Sequence, residues 1–426
     1  MRLYKKTFKV DLFDRIRTNE ESLSKMARQL HGYFTYPKLE GPLGAHMKFR
    51  GKDILNWNVN DYLGFTQNEE IRRIDEELTR KWGLSYPSGN RIMAGHTSIH
   101  EKLESMLADF THKEDAFVLN YGYQGISSVI DALCDRKDII VYDVQVHASM
   151  IDGVRLHRGE HFSYQHNDMD SLEKALQKAE SKLEKDPQGG ILLLTQGVFS
   201  STGDYGKLDQ IVALKERYSF RIFLNDADGF GVQGKNGSGT AEHFGVSSQI
   251  DLYLGSFSKA FASQGCFIAG PELIMNYLRY RTRTQLHSKA LPLVFTEGII
   301  ERLKYLKKNL SLLKKLHTNA DYLRNALLEK GFDLGESNTN IIPIYFPCNI
   351  YEALNIVIDL RENYNIFCPV LIYPFILKDQ LLLRLMPTVY HSMEDMDFTL
   401  NAFVDIRENL KAQKYSTERS DFFKDS

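Results

Sequence analysis

Short apolar runs separated by amphipathic stretches dominate the middle of the chain. Residues 116–119, 139–142, 191–195, 221–224 and 252–254 are mostly apolar segments of strand length. Runs of this kind, without polar alternation, suit strands covered on both faces. Between them, residues 171–185 and 208–217 carry apolar side chains at helical spacing. Alternating strands and helices predict a mainly parallel sheet flanked by helices, with ligands bound at the carboxyl ends of the strands. Nearer the N-terminus, Leu12, Ile16, Leu23, Met26 and Leu30 recur among acidic and basic residues and predict an amphipathic helix over 10–30. Its mixed charges suit packing on the body or on a second subunit better than a membrane surface. A charge-rich, leucine-spaced run over 301–330 predicts one long helix leading out of the α/β body. Beyond it, residues 340–346, 366–373 and 381–385 read as strands and 350–363 as a helix, which together make a smaller α+β unit. The expected division is an N-terminal helical segment and arm (1–60), a large α/β domain (61–300), a small α+β domain (301–412) and a polar tail (413–426).

Composition narrows the class of protein. A chain of 426 residues with 43% hydrophobic and 25% charged residues fits a soluble protein of one large and one smaller unit. Its 53 Lys and Arg nearly balance 55 Asp and Glu, so no global field favours nucleic acid or an anionic membrane. Cys134, Cys266, Cys348 and Cys368 lie far apart with no C-x-x-C pair. They read as reduced thiols, with neither a disulfide frame nor a metal site expected. With no apolar leader after Arg2, Lys5 and Lys6 and no run long enough to span a membrane, a cytoplasmic location is expected.

The strand ends carry the candidate chemistry. In Asp251-Leu-Tyr-Leu-Gly-Ser-Phe-Ser-Lys-Ala260 an apolar strand stops at Gly255, Ser256 follows, and Lys259 comes three residues later. A lysine held beside small hydroxylated residues at a buried strand end can lose its proton and form a Schiff base, while nearby hydroxyls and free amides hold a phosphate. After 139–142 comes His147, whose imidazole could stack on an aromatic cofactor. After 116–119, the turn Asn120-Tyr-Gly122-Tyr123-Gln-Gly125 opens a helix whose amides favour a phosphate. After 191–195 stand Gln196 and the hydroxyls of Ser200, Ser201 and Thr202. After 221–224 stand Asn225, Asp226 and Asp228. Any one of these could be an ordinary turn, but five in succession argue for one site.

In order, these blocks resemble the α-oxoamine synthase family of pyridoxal phosphate enzymes, a group that includes serine palmitoyltransferase, glycine C-acetyltransferase and 8-amino-7-oxononanoate synthase. The resemblance spans roughly 30–410. It rests on Asn60-Asp-Tyr-Leu-Gly64, Ser88-Gly-Asn-Arg91 leading to His100-Glu-Lys-Leu-Glu104, His147-Ala-Ser, Gly197-Val-Phe-Ser-Ser-Thr-Gly-Asp204, Ser256-Phe-Ser-Lys259-Ala, and Arg384 seven before His391. It implies a fold-type I transferase with a seven-stranded, mainly parallel sheet. It further implies that Lys259 carries the cofactor and later removes the substrate's α-proton, and that His147 stacks on the ring. Gly122, Tyr123, Ser200, Asn225, Asp228 and Ser256 would be the other cofactor contacts, and Asn60 and Arg384 would hold the substrate carboxylate. The implied reaction condenses a small amino acid of serine or glycine type with an acyl thioester, on coenzyme A or an acyl carrier protein, with loss of carbon dioxide. A homodimer is implied as well.

The chain departs from the family pattern at the chemistry. Where the family has Asp-Glu-Ala-His, this chain has Asn225-Asp226-Ala227-Asp228. An ionised carboxylate raises the pKa of the ring nitrogen, whereas a neutral Asn only hydrogen-bonds, so a weaker electron sink is expected. Asp226 should face the other way, because adjacent strand residues alternate. Asp228 would set a negative charge near the ring's phenolic oxygen. Gln196 stands where an acid is usual, and Cys266 where a glycine is usual. Besides an active synthase, the expectations therefore include a weakly active paralogue serving as a partner subunit, and an aminotransferase-type reaction.

Overall fold

The structure, a computed structural model, describes residues 12–15, 30–185, 187–372 and 376–416. Of the helix expected over 10–30, residues 12–15 and Leu30 are helical and the rest lies outside the described residues, as does most of the polar tail.

The chain first forms a small meander, β1 (Leu39–Glu40), β2 (His46–Phe49) and β3 (Lys52–Asn56). It then builds seven strands: β4 (Asp115–Leu119), β5 (Ile139–Asp143), β6 (His161–Tyr164), β7 (Ile191–Gln196), β8 (Arg221–Asn225), β9 (Leu252–Ser256) and β10 (Cys266–Gly270). They form one sheet in the order β4-β10-β9-β8-β7-β5-β6. All neighbours run parallel except β10, which is antiparallel to both β4 and β9. Strand alternation divides the core in two. Ala116, Val118, Val141, Leu193 and Leu224 pack into one apolar cluster, and Phe117, Leu119, Ile140, Leu194 and Phe223 into another. The sheet is covered on both faces, so its strands carry no polar face except at the edge strand β6, where His161 and Ser163 are exposed.

The C-terminal part forms β11 (Ile342–Pro347), β12 (Ile366–Phe367), β13 (Val370–Leu371) and β14 (Gln380–Leu385) with the helices Ile350–Glu362 and Met393–Lys411. Its core includes Leu55 and Trp57 from the N-terminal side, and β3 pairs in parallel with β12 through Leu55↔Ile366. Two expectations are corrected. The single helix over 301–330 is two, Leu293–Lys308 and Ser311–Glu329. They part at Asn309, whose amide donates to the Tyr305 carbonyl at 2.9 Å, a local bond that competes with helix continuation. The strand over 366–373 is also two, β12 and β13, in different sheets, and Tyr373 lies outside the described residues. Pro369 between them has no N–H to give to a ladder. No helix among the described residues is long and apolar enough to cross a membrane.

Candidate active site

The carboxyl ends of β5, β7, β8 and β9 converge on a cavity of about 220 Å³. At the end of β9 the strand must be glycine at 255, since a Cβ there would lie 2.4 Å from the Phe267 ring of β10. Ser256 ends the strand and its Oγ lies 2.8 Å from that of Ser258. The turn that follows is fixed by the Phe257 N–H donating to the Gly265 carbonyl at 3.0 Å and by Ser263 N–H donating to Phe257 at 2.8 Å. It delivers the Lys259 Nζ into the cavity, 3.1 Å from Asp228 Oδ1 and 3.5 Å from Asn60 Oδ1.

Asp228 is buried and accepts a second bond on the same oxygen, from the Tyr62 hydroxyl at 2.7 Å. Burial alone would raise this carboxyl, but Lys259, Tyr62 and Arg384 outweigh it and hold the group below its usual value. It is therefore an ionised carboxylate aimed at the lysine. Asn225, at the end of β8, lines the cavity with Asp228 and accepts from the Ala227 N–H at 3.2 Å. Asp226 faces the opposite side of the sheet, where it accepts from Thr240 N–H (2.6 Å), Thr240 Oγ (2.5 Å) and the Tyr253 hydroxyl (2.8 Å).

His147 caps the helix Ala148–Leu156, its Nδ1 accepting from the Ser149 N–H at 3.2 Å, which assigns the ring proton to Nε2. Burial and then Lys259 push the imidazole's pKa down against the pull of Asp228, so the ring is neutral near pH 7. Gln196 has a structural use here: its Oε1 accepts the His147 main-chain N–H at 2.8 Å. Opposite Ser256, the helix Gly122–Leu133 starts with no side-chain cap, leaving amides free for an anion. The Gly122 Cβ position is 3.9 Å from Ser256 Oγ. Tyr123 lines the cavity edge, with its ring 5.9 Å from that of His147 and its hydroxyl on Asp152 at 2.6 Å.

Arg384 lies on β14 and donates from Nη1 to the Ser200 carbonyl at 2.6 Å, while its buried Nε has no partner among the described residues. His391, of the same block, is elsewhere. It is buried against Trp57 with ring centroids 4.1 Å apart, in a purely structural place. Cys266 is fully enclosed and its thiol is pushed up to about 12, so it is inert at neutral pH. Sequence reasoning had not singled out Tyr62, Ser258 or Ala227. Tyr62 lay inside the Asn60–Gly64 block, so its place there was the available signal.

Residues 52–403 match the aminotransferase class I and II family. The chain is 47% identical over 415 residues to a cysteate-C-fatty acyltransferase of Capnocytophaga ochracea, covering 97% of this chain and 99% of that one. It is 34% identical to a serine palmitoyltransferase of Bacteroides thetaiotaomicron, covering 89% and 93%. Among solved structures, the Sphingomonas wittichii serine palmitoyltransferase superposes with a TM-score of 0.85 at 24% identity, over 95% of this chain and 100% of the other. That last likeness bears on the fold alone. Sequence, sheet order and the lysine at the end of β9 agree: the chain belongs to the aminotransferase class I and II family.

Proposed function

We propose that the protein is a pyridoxal 5'-phosphate-dependent C-acyltransferase that joins cysteate to a fatty acyl thioester. Carbon dioxide and the free thiol leave, and the product is a 2-amino-3-oxo-alkane sulfonate. The observation that carries the reading is the Lys259 Nζ opening into a cavity whose far side holds the Ser256 hydroxyl and an uncapped helix start. A phosphate fits that cradle and an aldehyde fits that amine, so the residues present suit the cofactor. The choice of cysteate rests on the 47% identical relative.

When bound, the cofactor supplies the electron sink that makes a carbanion at the amino acid's α-carbon accessible. Lys259 would hold the cofactor through its Nζ, and the same amine, when free, would be the base placed to take the substrate's α-proton. Gly122, Ser200 and Ser256 contribute to the phosphate side, Tyr123 to the edge, and His147 gives a neutral ring to stack on. Asn225 would offer the cofactor's ring a hydrogen-bond partner without charge. Asp228, held by Tyr62, keeps the lysine's proton close at hand. Arg384 and Asn60 orient the substrate carboxylate, the Nε of Arg384, without a partner among the described residues, being a donor in reserve.

A wider cavity of about 950 Å³ shares Tyr123 with the first and is lined by Val146, Ile151, Leu377, Leu382 and Arg155. Asp152 lines it too and pairs with Arg155 at 3.2 Å, so it is the apolar part of the wall that suits the acyl chain of a thioester, on coenzyme A or an acyl carrier protein. Leu84, Tyr86, Ile92, Met93 and Tyr121 stand exposed, and we assign them to a homodimer contact. The four free thiols, three of them buried, support a cytoplasmic location.

Absorption spectroscopy tests the reading. The purified protein with added pyridoxal phosphate should show a Schiff-base band that is lost in Lys259→Ala and shifts with cysteate more than with serine, glycine or alanine. A protein that stays colourless would overturn the cofactor assignment, and a shift with serine alone would overturn the substrate.

A further inference from the structure

We propose that His166 is a positioning residue for the amino-acid substrate: tied between two carboxylates, it holds the loop 197–204 where Ser200 aims Arg384. The inference rests on the reading of Arg384 as the carboxylate anchor.

The His166 Nδ1 lies 3.1 Å from both oxygens of Asp143, the last residue of β5, and Nε2 lies 2.9 Å from Asp204 Oδ2. Asp143 is fully buried and Asp204 nearly so. An imidazole with an acceptor on each nitrogen must carry both protons to donate to both. The ring is also packed edge-on against Phe199, centroids 4.5 Å apart. Asn167 reinforces the tie: its N–H donates to Asp143 Oδ2 at 3.0 Å and its side-chain amide to Asp204 Oδ2 at 2.6 Å. Asp204 in turn accepts from the Thr202 hydroxyl, and its carbonyl accepts the Phe199 N–H at 2.9 Å. The hairpin closed in this way presents the Ser200 carbonyl to Arg384 Nη1 at 2.6 Å.

The same Asp143 ends the strand that leads to His147, so one half-buried cation joins the cofactor-stacking turn to the substrate-anchoring loop. His166 and Asp204 open on a cavity of about 660 Å³, which the charged and titratable groups Lys207, Asp209, Glu336, Tyr205 and Tyr345 also line. Burial opposes a charged imidazole, but the two carboxylates more than reverse this and raise its pKa to about 9. The clamp is thus closed at neutral pH and opens as pH rises through about 9.

The test uses His166→Gln, which loses the charge and one of the two bonds, and the milder Thr202→Val, which removes only the hydroxyl on Asp204. Both are compared with the wild-type holoenzyme. The dissociation constant for cysteate is read from the shift of the cofactor band without acyl donor, and KM and kcat from turnover with palmitoyl-coenzyme A. The expected result for His166→Gln is a rise of about tenfold in Kd and KM, with kcat within about threefold and the cofactor band unchanged. Thr202→Val should change them in the same direction by less. The Kd of the wild type should climb above about pH 9 relative to that of His166→Gln. Equal Kd values in a folded His166→Gln protein would overturn the proposal, as would loss of the cofactor band in step with KM. If His166→Gln does not fold, an unchanged Kd in Thr202→Val overturns it alone. Should no amino acid shift the wild-type band, the functional reading fails instead, and the two failures are told apart.

Discussion

Asn225 and Asp226 are neighbours in sequence that serve opposite sides of one sheet. Asp226 gathers three donors in a dry interior, where burial pushes its carboxyl up to about 6. Asp226→Asn replaces an acceptor with a donor that faces Thr240 and Tyr253, and should cost about 2–3 kcal/mol in denaturant unfolding. On the cavity side, Asn225→Asp with Asp228→His supplies a charged partner for the ring nitrogen and removes the neighbouring carboxylate. Turnover should rise by about threefold or more, while Asn225→Asp alone, setting two carboxylates in one cavity, should give no rise. Steady-state assays of the two variants check this. The alternation of side chains made the outward turn of Asp226 legible from sequence. The fate of Asp228 was not legible, because the Tyr62 hydroxyl that fixes it comes from 166 residues earlier in the chain. The repulsion expected of Asp228 is met by its bond to Lys259.

At the scale of elements, the hairpin of residues 197–204 couples the two parts of the chain. Gly203 adopts φ +70°, and a Cβ there would sit 2.0 Å from the Ile341 carbonyl oxygen. Its own carbonyl accepts from Asn338 and Thr339 N–H, each at 3.1 Å. Gly203→Ala must therefore push the hairpin off the segment before β11. It should lower stability by about 2 kcal/mol and raise KM for the amino acid through displaced Ser200. Thermal unfolding and kinetics together check both parts. The block Gly197 to Asp204 was visible as a motif, but its tie to His166 was not, since no spacing rule links a loop residue after β6 to it. Likewise the helix break at Asn309 and the strand break at Pro369 were written in single residues inside otherwise periodic runs, where the periodicity is the stronger signal.

At the scale of the whole molecule, two buried histidines and one half-buried histidine set opposite limits on stability. Burial pushes His100 and His391 down to about 4, from an ordinary value of about 6.5 in the unfolded chain. Between these values the unfolded chain binds protons the native state refuses, so stability falls as pH drops from about 6.5 toward 4. His166 is raised to about 9, so its contribution is fully present below about 6.5 and is lost as pH rises through 9. The melting temperature should therefore peak between these limbs, and His166→Gln should flatten only the alkaline one. Five of the seven strands of the main sheet were readable because they are apolar on both faces; β10 was missed, as was the edge strand β6, whose His161 and Ser163 are exposed. The β1–β3 meander was not, because its strands are short and mix buried or half-buried with exposed residues, and β3 takes its second partner, β12, some 300 residues on.

The most direct test of the account is product analysis by mass spectrometry. The holoenzyme is incubated with palmitoyl-coenzyme A and cysteate, serine or glycine, alongside Lys259→Ala. The account predicts the amino-oxo sulfonate from cysteate, with one thiol released per product, and none in Lys259→Ala. Product from serine or glycine but not cysteate would contradict the substrate, and product surviving Lys259→Ala would contradict the mechanism.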